Sequence, residues 1–250
     1  MKFCVCIKQV PDVTAPIQIR DGELAMDAGR VVLNAYDASA VEEALVLTEQ
    51  HGGEVEVILI GPDRATETIR KALAMGAAKG THLVVAEDAE LDSASVSKLL
   101  ADFFQDAGAD VILTGKQAQD TDAGLGGAML AERLGLPYAT NAVGLAQEGE
   151  TLVVTRQGDT GQEIIALPTP CLVTCSNDMN DPRIPSLKGV MGAKRKPIDS
   201  RPVVDIPAAR VRTLRYEPLP TREPGRVLEG EPHEQAAEVV HLLETEASVL

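Results

Sequence analysis

Apolar and polar positions follow two periods in turn along the first half of the chain. Lys2–Val10 (KFCVCIKQV) is a nearly unbroken apolar run that predicts a strand, ended by Pro11-Asp12 because proline cannot donate to a sheet ladder. Ile17 to Asp27 holds two short alternating runs around Asp21-Gly22, the pattern of a hairpin turn. Asn34-Ala35-Tyr36-Asp37 then precedes a helix with Val41, Ala44, Leu45 and Thr48 on one face, stopped by Gly52-Gly53. Val55–Ile60 predicts a buried strand, and Gly61-Pro62-Asp63 opens a second helix with Ile69, Leu73 and Met75 inward, ended by Gly76. Leu83–Ala86 predicts a strand, Ser93–Phe104 a helix carrying Val96, Leu99, Leu100 and Phe103, and Val111–Thr114 another strand. Strands alternating with helices predict an α/β fold, an open mostly parallel sheet with helices on both faces.

After Leu134 the rhythm changes. Ala139–Ala146, Thr151–Thr155, Glu163–Ala166 and Cys171–Thr174 read as short strands, either an antiparallel extension of the sheet or a small flap. Arg183–Pro197 (RIPSLKGVMGAKRKP) groups Arg183, Lys188, Lys194, Arg195 and Lys196 in a chain of formal net charge −15. A solvated loop is the ordinary reading of such a run, yet Leu187, Val190 and Met191 interrupt it with apolar groups that solvation does not need. Beyond Ser200 the chain is rich in proline and arginine without periodicity, an extended arm up to Gly230. Pro232 then precedes a helix with Ala236, Val239, Val240 and Leu243 as one stripe, to be packed at home or against another subunit. The expected division is a domain at 1–199, with a docking loop at about 182–197, and an arm with terminal helix at 200–250.

Composition narrows the chemistry. The 250 residues are 44% hydrophobic but only 2% aromatic with no Trp, so the core is aliphatic. Lys and Arg number 23 against 38 Asp and Glu, which disfavours nucleic acid or an anionic membrane as partner of the whole surface. No apolar run reaches the length of a membrane span, and the chain begins in a strand without a signal-peptide core, so a cytoplasmic protein without direct membrane insertion is expected. Cys4, Cys6, Cys171 and Cys175 lie in apolar strand-like runs and read as buried thiols rather than a zinc site or disulfide. His51, His82, His233 and His241 are scattered with no Ser or Cys partner, so neither a catalytic triad nor a metal centre is expected.

Val111–Leu134 (VILTGKQAQDTDAGLGGAMLAERL) is the stretch with the clearest chemical potential. It reads as strand, loop and helix, and in an open parallel sheet such a loop lies at the carboxyl edge where ligands bind. The helix offers unpaired N–H groups, and Gly124, Gly126 and Gly127 allow a phosphate to approach them. The spacing is neither G-x-G-x-x-G nor a P-loop, and glycine-bearing crossovers also occur where nothing binds, so the pattern alone leaves both readings open.

Several segments together resemble the β subunit of electron transfer flavoprotein over nearly the whole chain. They are CIKQVPD, NAYDASAVEEAL, ETIRKALAMGA, GKQAQDTD, VTRQGDTGQEIIALPTPCLVT and NDPRIPSLKGVMGAKRKPI, in the family's order and spacing. The resemblance implies an adenine-nucleotide α-hydrolase-like fold, paired with an α subunit that holds most of an FAD. It implies an electron carrier without catalytic residues of its own, serving flavin dehydrogenases and a quinone oxidoreductase. It also implies AMP in this subunit, held by Cys6, by Asn34, Ala35, Tyr36 and Asp37, and by Ile60. The remaining implied contacts are Gly115, Lys116, Gln117, Ala118, Gln119, Asp120, Thr121, Asp122, Ala123, Gly124, Leu125 and Gly126. Asp120 and Asp122 are expected as caps or sugar and base contacts rather than phosphate ligands. The family's partner-anchoring leucine falls on Leu187, with Pro182, Arg183, Ser186, Lys188, Met191, Ala193 and Lys194 around it. Ala35 replaces a proline common in the family, Gly124-Leu125-Gly126 replaces N-Q-T, Thr160 departs from the signature, and Val13 stands where an aromatic often meets the flavin. Electron-bifurcating relatives place a second FAD where others hold AMP, so a second FAD in an NADH-oxidising complex is the alternative.

Overall fold

The computed structural model describes residues 1–15, 18–25, 30–221, 224–247 and 249. The chain opens with β1 (Lys2–Ile7), β2 (Gln9–Pro11), β3 (Gln18–Arg20), β4 (Glu23–Ala25) and β5 (Val31–Leu33). Helix α1 (Ala35–His51), β6 (Glu54–Gly61), a 3₁₀ turn at Asp63–Ala65, α2 (Thr66–Met75) and β7 (Lys79–Val84) follow. Then come α3 (Ser93–Ala107), β8 (Val111–Gly115), α4 (Gly126–Leu134), β9 (Tyr138–Glu148), β10 (Thr151–Gln157), β11 (Gln162–Pro168) and β12 (Cys171–Cys175). The last elements are α5 (Leu187–Ala193), β13 (Ile198–Pro202) and α6 (Pro232–Thr245). By its contacts the chain forms two compact units, Met1–Tyr216 and Glu217–Leu250.

Among the described residues of the first unit, nine strands form one sheet in the order β11-β10-β9-β12-β8-β1-β6-β7-β13. From β9 to β13 in that order every pairing is parallel, and β10 and β11 extend the sheet antiparallel. This is the α/β sheet that the alternation of periods predicts. The chain runs from β1 through β6 to β7 in one direction and then returns to lay β8 on the other side of β1. At such a reversal the loops leaving neighbouring strands part, and the carboxyl ends of β1 and β8 are where a sheet of this kind offers its ligand crevice.

Alternation along β1 feeds two aliphatic cores, one on each face. Phe3, Val5 and Ile7 join Val41, Leu45, Ile69 and Leu73 on the side of α1 and α2, while Cys4 and Cys6 join Leu100, Phe104 and Leu130 on the side of α3 and α4. All four cysteines are free and buried, and burial pushes the Cys4 thiol up to about 12 and Cys171 up to about 11. The Asp21-Gly22 hairpin joins β3 and β4 with positive φ at both turn residues, 54° and 81°, as a two-residue type I′ turn requires. Ile17, Met26 and Asp27 of that expected hairpin lie outside the described residues.

Several expectations need correction. Lys2–Val10 is two strands: the Lys8 amide donates to Asp37 Oδ2 at 2.7 Å and its carbonyl accepts the Asn34 amide at 3.0 Å, so the ladder breaks there. Beyond it, β2 pairs antiparallel with β5. The strand expected at Leu83–Ala86 starts at Lys79, because Gly80, Thr81 and His82 are drawn between β6 and β13. His82 is wholly buried, its ring nitrogens 3.1 Å from Thr66 Oγ1 and 3.1 Å from the Gly61 carbonyl oxygen. In α3 it is Phe104 that is buried, with Phe103 packed at the margin. Cys171–Thr174 belongs to neither a flap nor the antiparallel extension, since β12 lies parallel between β8 and β9. The expected arm begins inside the sheet, where Arg201 and Pro202 pair with Leu83 and Val84. In the second unit α6 forms as predicted, with Val239 and Val240 exposed.

Candidate functional site

The crevice is organised by Asp37, in the first turn of α1. Its Oδ2 accepts the Lys8 amide at 2.7 Å and its Oδ1 accepts the Gly115 amide at 2.9 Å, so one carboxylate ties the ends of β1 and β8 to the start of α1. Burial pushes this carboxyl up to about 7, against the pull of Asn34 and the Lys8 and Gly115 amides. Gly115 is a glycine because a Cβ there would stand 2.3 Å from Asp37 Oδ1 and 2.7 Å from Tyr36 Cβ.

Asn34, buried ahead of α1, holds the loop after β8. Its Nδ2 donates to the Gln117 carbonyl at 2.9 Å, its Oδ1 accepts the Gln119 amide at 3.2 Å, and Gln119 Oε1 accepts the Ala35 amide at 3.1 Å. The first amide of α1 is thus capped from the loop. Lys116 hangs its amide on the Cys175 carbonyl at 2.7 Å and lays its ammonium 6.0 Å from the Tyr36 ring centroid. Lys8 Nζ pairs with Asp120 Oδ1 at 2.8 Å, and Gln117 Nε2 donates to Asp122, which sits at φ 53°. Both aspartates are engaged within the protein.

On the other face α4 begins directly behind this loop. Leu125 supplies no side-chain cap to the first-turn amides of α4. Gly127 lets α4 sit against the sheet, since a Cβ there would stand 2.6 Å from Thr174 Cγ2 and 2.8 Å from Thr114 Oγ1. Gly126 borders open space, with nothing within 4 Å of an added Cβ. Cys6 lies buried on the same face, in register with Thr114 and Ile58, and Ile60 continues that row towards the rim. Ile60 also lines a cavity of about 150 Å³ at the ends of β1, β6 and β7, shared with Lys8, Val10, Arg64, Val85 and Glu87. The geometry therefore gathers 34–37 and 115–123 into one network at the switch point, with 124–126 leading from it into α4 and Cys6 and Ile60 beside it. Lys8 is the member that residue-by-residue reading missed; its signal is a lysine interrupting the apolar run of the first strand.

The basic segment forms a second, separate feature. Ser186 Oγ accepts the Gly189 amide at 3.1 Å and starts α5, where a loop was expected. Leu187 is 78% exposed, Met191 64% and Ile184 93%, with Lys188, Lys194 and Arg195 exposed around them. Arg183 faces inward instead: its guanidinium binds Glu42 at 2.8 Å and Glu49 at 2.6 Å on α1, and these bonds hold it protonated. It anchors the segment to α1.

A family model described as the electron transfer flavoprotein domain matches residues 23–206. A Bacillus subtilis (strain 168) protein named electron transfer flavoprotein subunit beta is 34% identical over 257 residues, with all of both chains covered. The chain belongs to the electron transfer flavoprotein family, among its β subunits. A Bradyrhizobium diazoefficiens electron transfer flavoprotein subunit beta is 38% identical over 255 residues, again across all of both chains. Subunit CarD of the caffeyl-CoA reductase–Etf complex of Acetobacterium woodii is 36% identical over 201 residues, 79% of this chain and 77% of that protein. Within an electron transfer flavoprotein β subunit, then, the crevice at β1 and β8 and the exposed face of α5 are distinct features of one unit. Among the described residues no helix is long and apolar enough to cross a membrane.

Proposed function

We propose that this chain is the β subunit of a heterodimeric, cytoplasmic electron transfer flavoprotein whose FAD is held mainly by the α subunit. AMP lies in the crevice, its phosphate at the first amides of α4 and its sugar and base towards Ile60 and the neighbouring cavity. Flavin dehydrogenases, such as acyl-CoA dehydrogenases, dock on α5 by Leu187, and electrons leave to a quinone oxidoreductase. The flavin supplies the electron transfer when bound. This chain's residues orient and support it, and none is assigned acid–base chemistry.

One observation carries the reading: a single unit presents an uncapped helix start beside open space at Gly126 and, elsewhere, an exposed leucine on a seated helix. The residues present suit a phosphate. Asp120 is paired with Lys8 and Asp122 accepts from Gln117, so both carboxylates are engaged within the protein, and Lys116 adds a cation beside Tyr36.

The second reading is a bifurcating, NADH-oxidising complex with a second FAD in the same crevice. It is favoured by the likeness to CarD of a caffeyl-CoA reductase–Etf complex and by the presence of a cavity lined by Lys8 and Ile60 at the ends of β1, β6 and β7. Extracting and quantifying nucleotides from the purified heterodimer separates the two. One FAD and one AMP are expected; two FADs and no AMP would establish the second reading.

A further inference from the structure

Helix α5 is seven residues long and contains Gly189 and Gly192, too short and too glycine-rich to hold its own position. Its seat comes from two cations that cross between α2 and the segment carrying it. Arg70 Nη1, on α2, donates to the Ala193 carbonyl at 2.6 Å and the Lys196 carbonyl at 2.7 Å, where α5 runs out. In return Lys196 Nζ donates to the carbonyls of Leu73 at 2.9 Å, Gly76 at 3.1 Å and Ala77 at 2.7 Å, where α2 runs out. Each side thus caps the other's open carbonyls. Gly189 completes the seat, because a Cβ there would stand 2.5 Å from the Ala74 carbonyl oxygen.

We infer that Arg70 and Lys196 are positioning residues for docking: by capping across α2 and α5 they fix where Leu187 stands, and so set the affinity for the electron-donating dehydrogenase. The inference rests on the docking role proposed for Leu187. Arg70 Nη1 and Lys196 Nζ are engaged with carbonyls of this chain, and the effect inferred for them is exerted through α5. A pre-ordered apolar face binds more tightly than one that must be ordered on contact.

The test uses the flavin-loaded heterodimer and donor-dependent flavin reduction. Lys196→Met is expected to raise KM for the donor about tenfold, to quicken amide exchange at 187–193, and to leave kcat, flavin content and the visible spectrum unchanged. Lys196→Arg, which keeps donors at the carbonyls, should restore most of the affinity. Gly189→Ala moves α5 off α2 with no change of charge and should raise KM in the same way; it decides the matter if Lys196→Met does not assemble. Unchanged exchange, or faster exchange with unchanged KM, overturns the inference. If Leu187→Ala also leaves KM unchanged, the docking role itself falls; if only Leu187→Ala raises KM, the positioning role alone falls.

Discussion

Asp37 and Gly115 meet across the head of the sheet, the carboxylate accepting the glycine amide at 2.9 Å with no room between them for a side chain. Seventy-eight residues apart in sequence, they join the start of α1 to the end of β8 and give the crevice its floor.

Gly115→Ala places a methyl group 2.3 Å from Asp37 Oδ1, and backbone lies nearby at the Asp37 amide, so the strain has little outlet. The expected loss is about 2 kcal/mol, within the usual range for overpacking. Chemical denaturation of the heterodimer checks it.

Gly126→Ala meets nothing within 4 Å, and alanine favours a helix, so stability should stay within about 1 kcal/mol of the parent. The methyl group would stand where the proposed phosphate approaches. AMP retained after purification should fall about tenfold, the equivalent of about 1.4 kcal/mol. Full AMP content would remove α4 from the phosphate site.

Leu187→Ala removes an exposed side chain, so folding, flavin content and flavin spectrum should be unchanged. Donor-dependent reduction should weaken, with KM raised by about tenfold or more, as for an anchor residue worth upwards of about 1.4 kcal/mol. Stopped-flow reduction by a flavin dehydrogenase measures this, and unchanged kinetics would refute the anchor.

Acid should loosen the start of α3. Hydrogen bonds from the Ser95 and Arg210 amides, with Val211 and the Ser95 hydroxyl adding to them, hold Asp92 down at about 2 against an ordinary value of 3.8. A depressed folded value means stability that is fully present above about pH 4 and is lost as pH falls towards 2. In Asp92→Asn the melting temperature should be lower at pH 7 and should fall less steeply between pH 4 and pH 2 than in the parent. Parallel curves would exclude Asp92 as the source.

How far the sequence can be read depends on the range of the forces involved. Strands β6 and β8, helices α1 to α4 and the Asp21-Gly22 turn follow from side-chain period and glycine placement, which act over a few residues. The exposed leucine among cations was also legible, because a lone apolar group in a charged run has no local reason to be there. The alternation of periods determined the parallel sheet and its carboxyl-edge loop.

Tertiary structure alone decided the rest. β7 starts at Lys79 rather than Leu83 because β6 and β13 supply its hydrogen-bond partners, and β12 slots between β8 and β9 although it reads like its antiparallel neighbours. The division of labour among the cations was equally hidden. Arg183 and Lys196 look like Lys188 and Lys194 in sequence, yet the first two are bound to Glu42 and to the end of α2, more than a hundred residues away in the chain. Local propensity sets which element forms; which carboxylate or open carbonyl a cation then meets is settled only when distant segments pack.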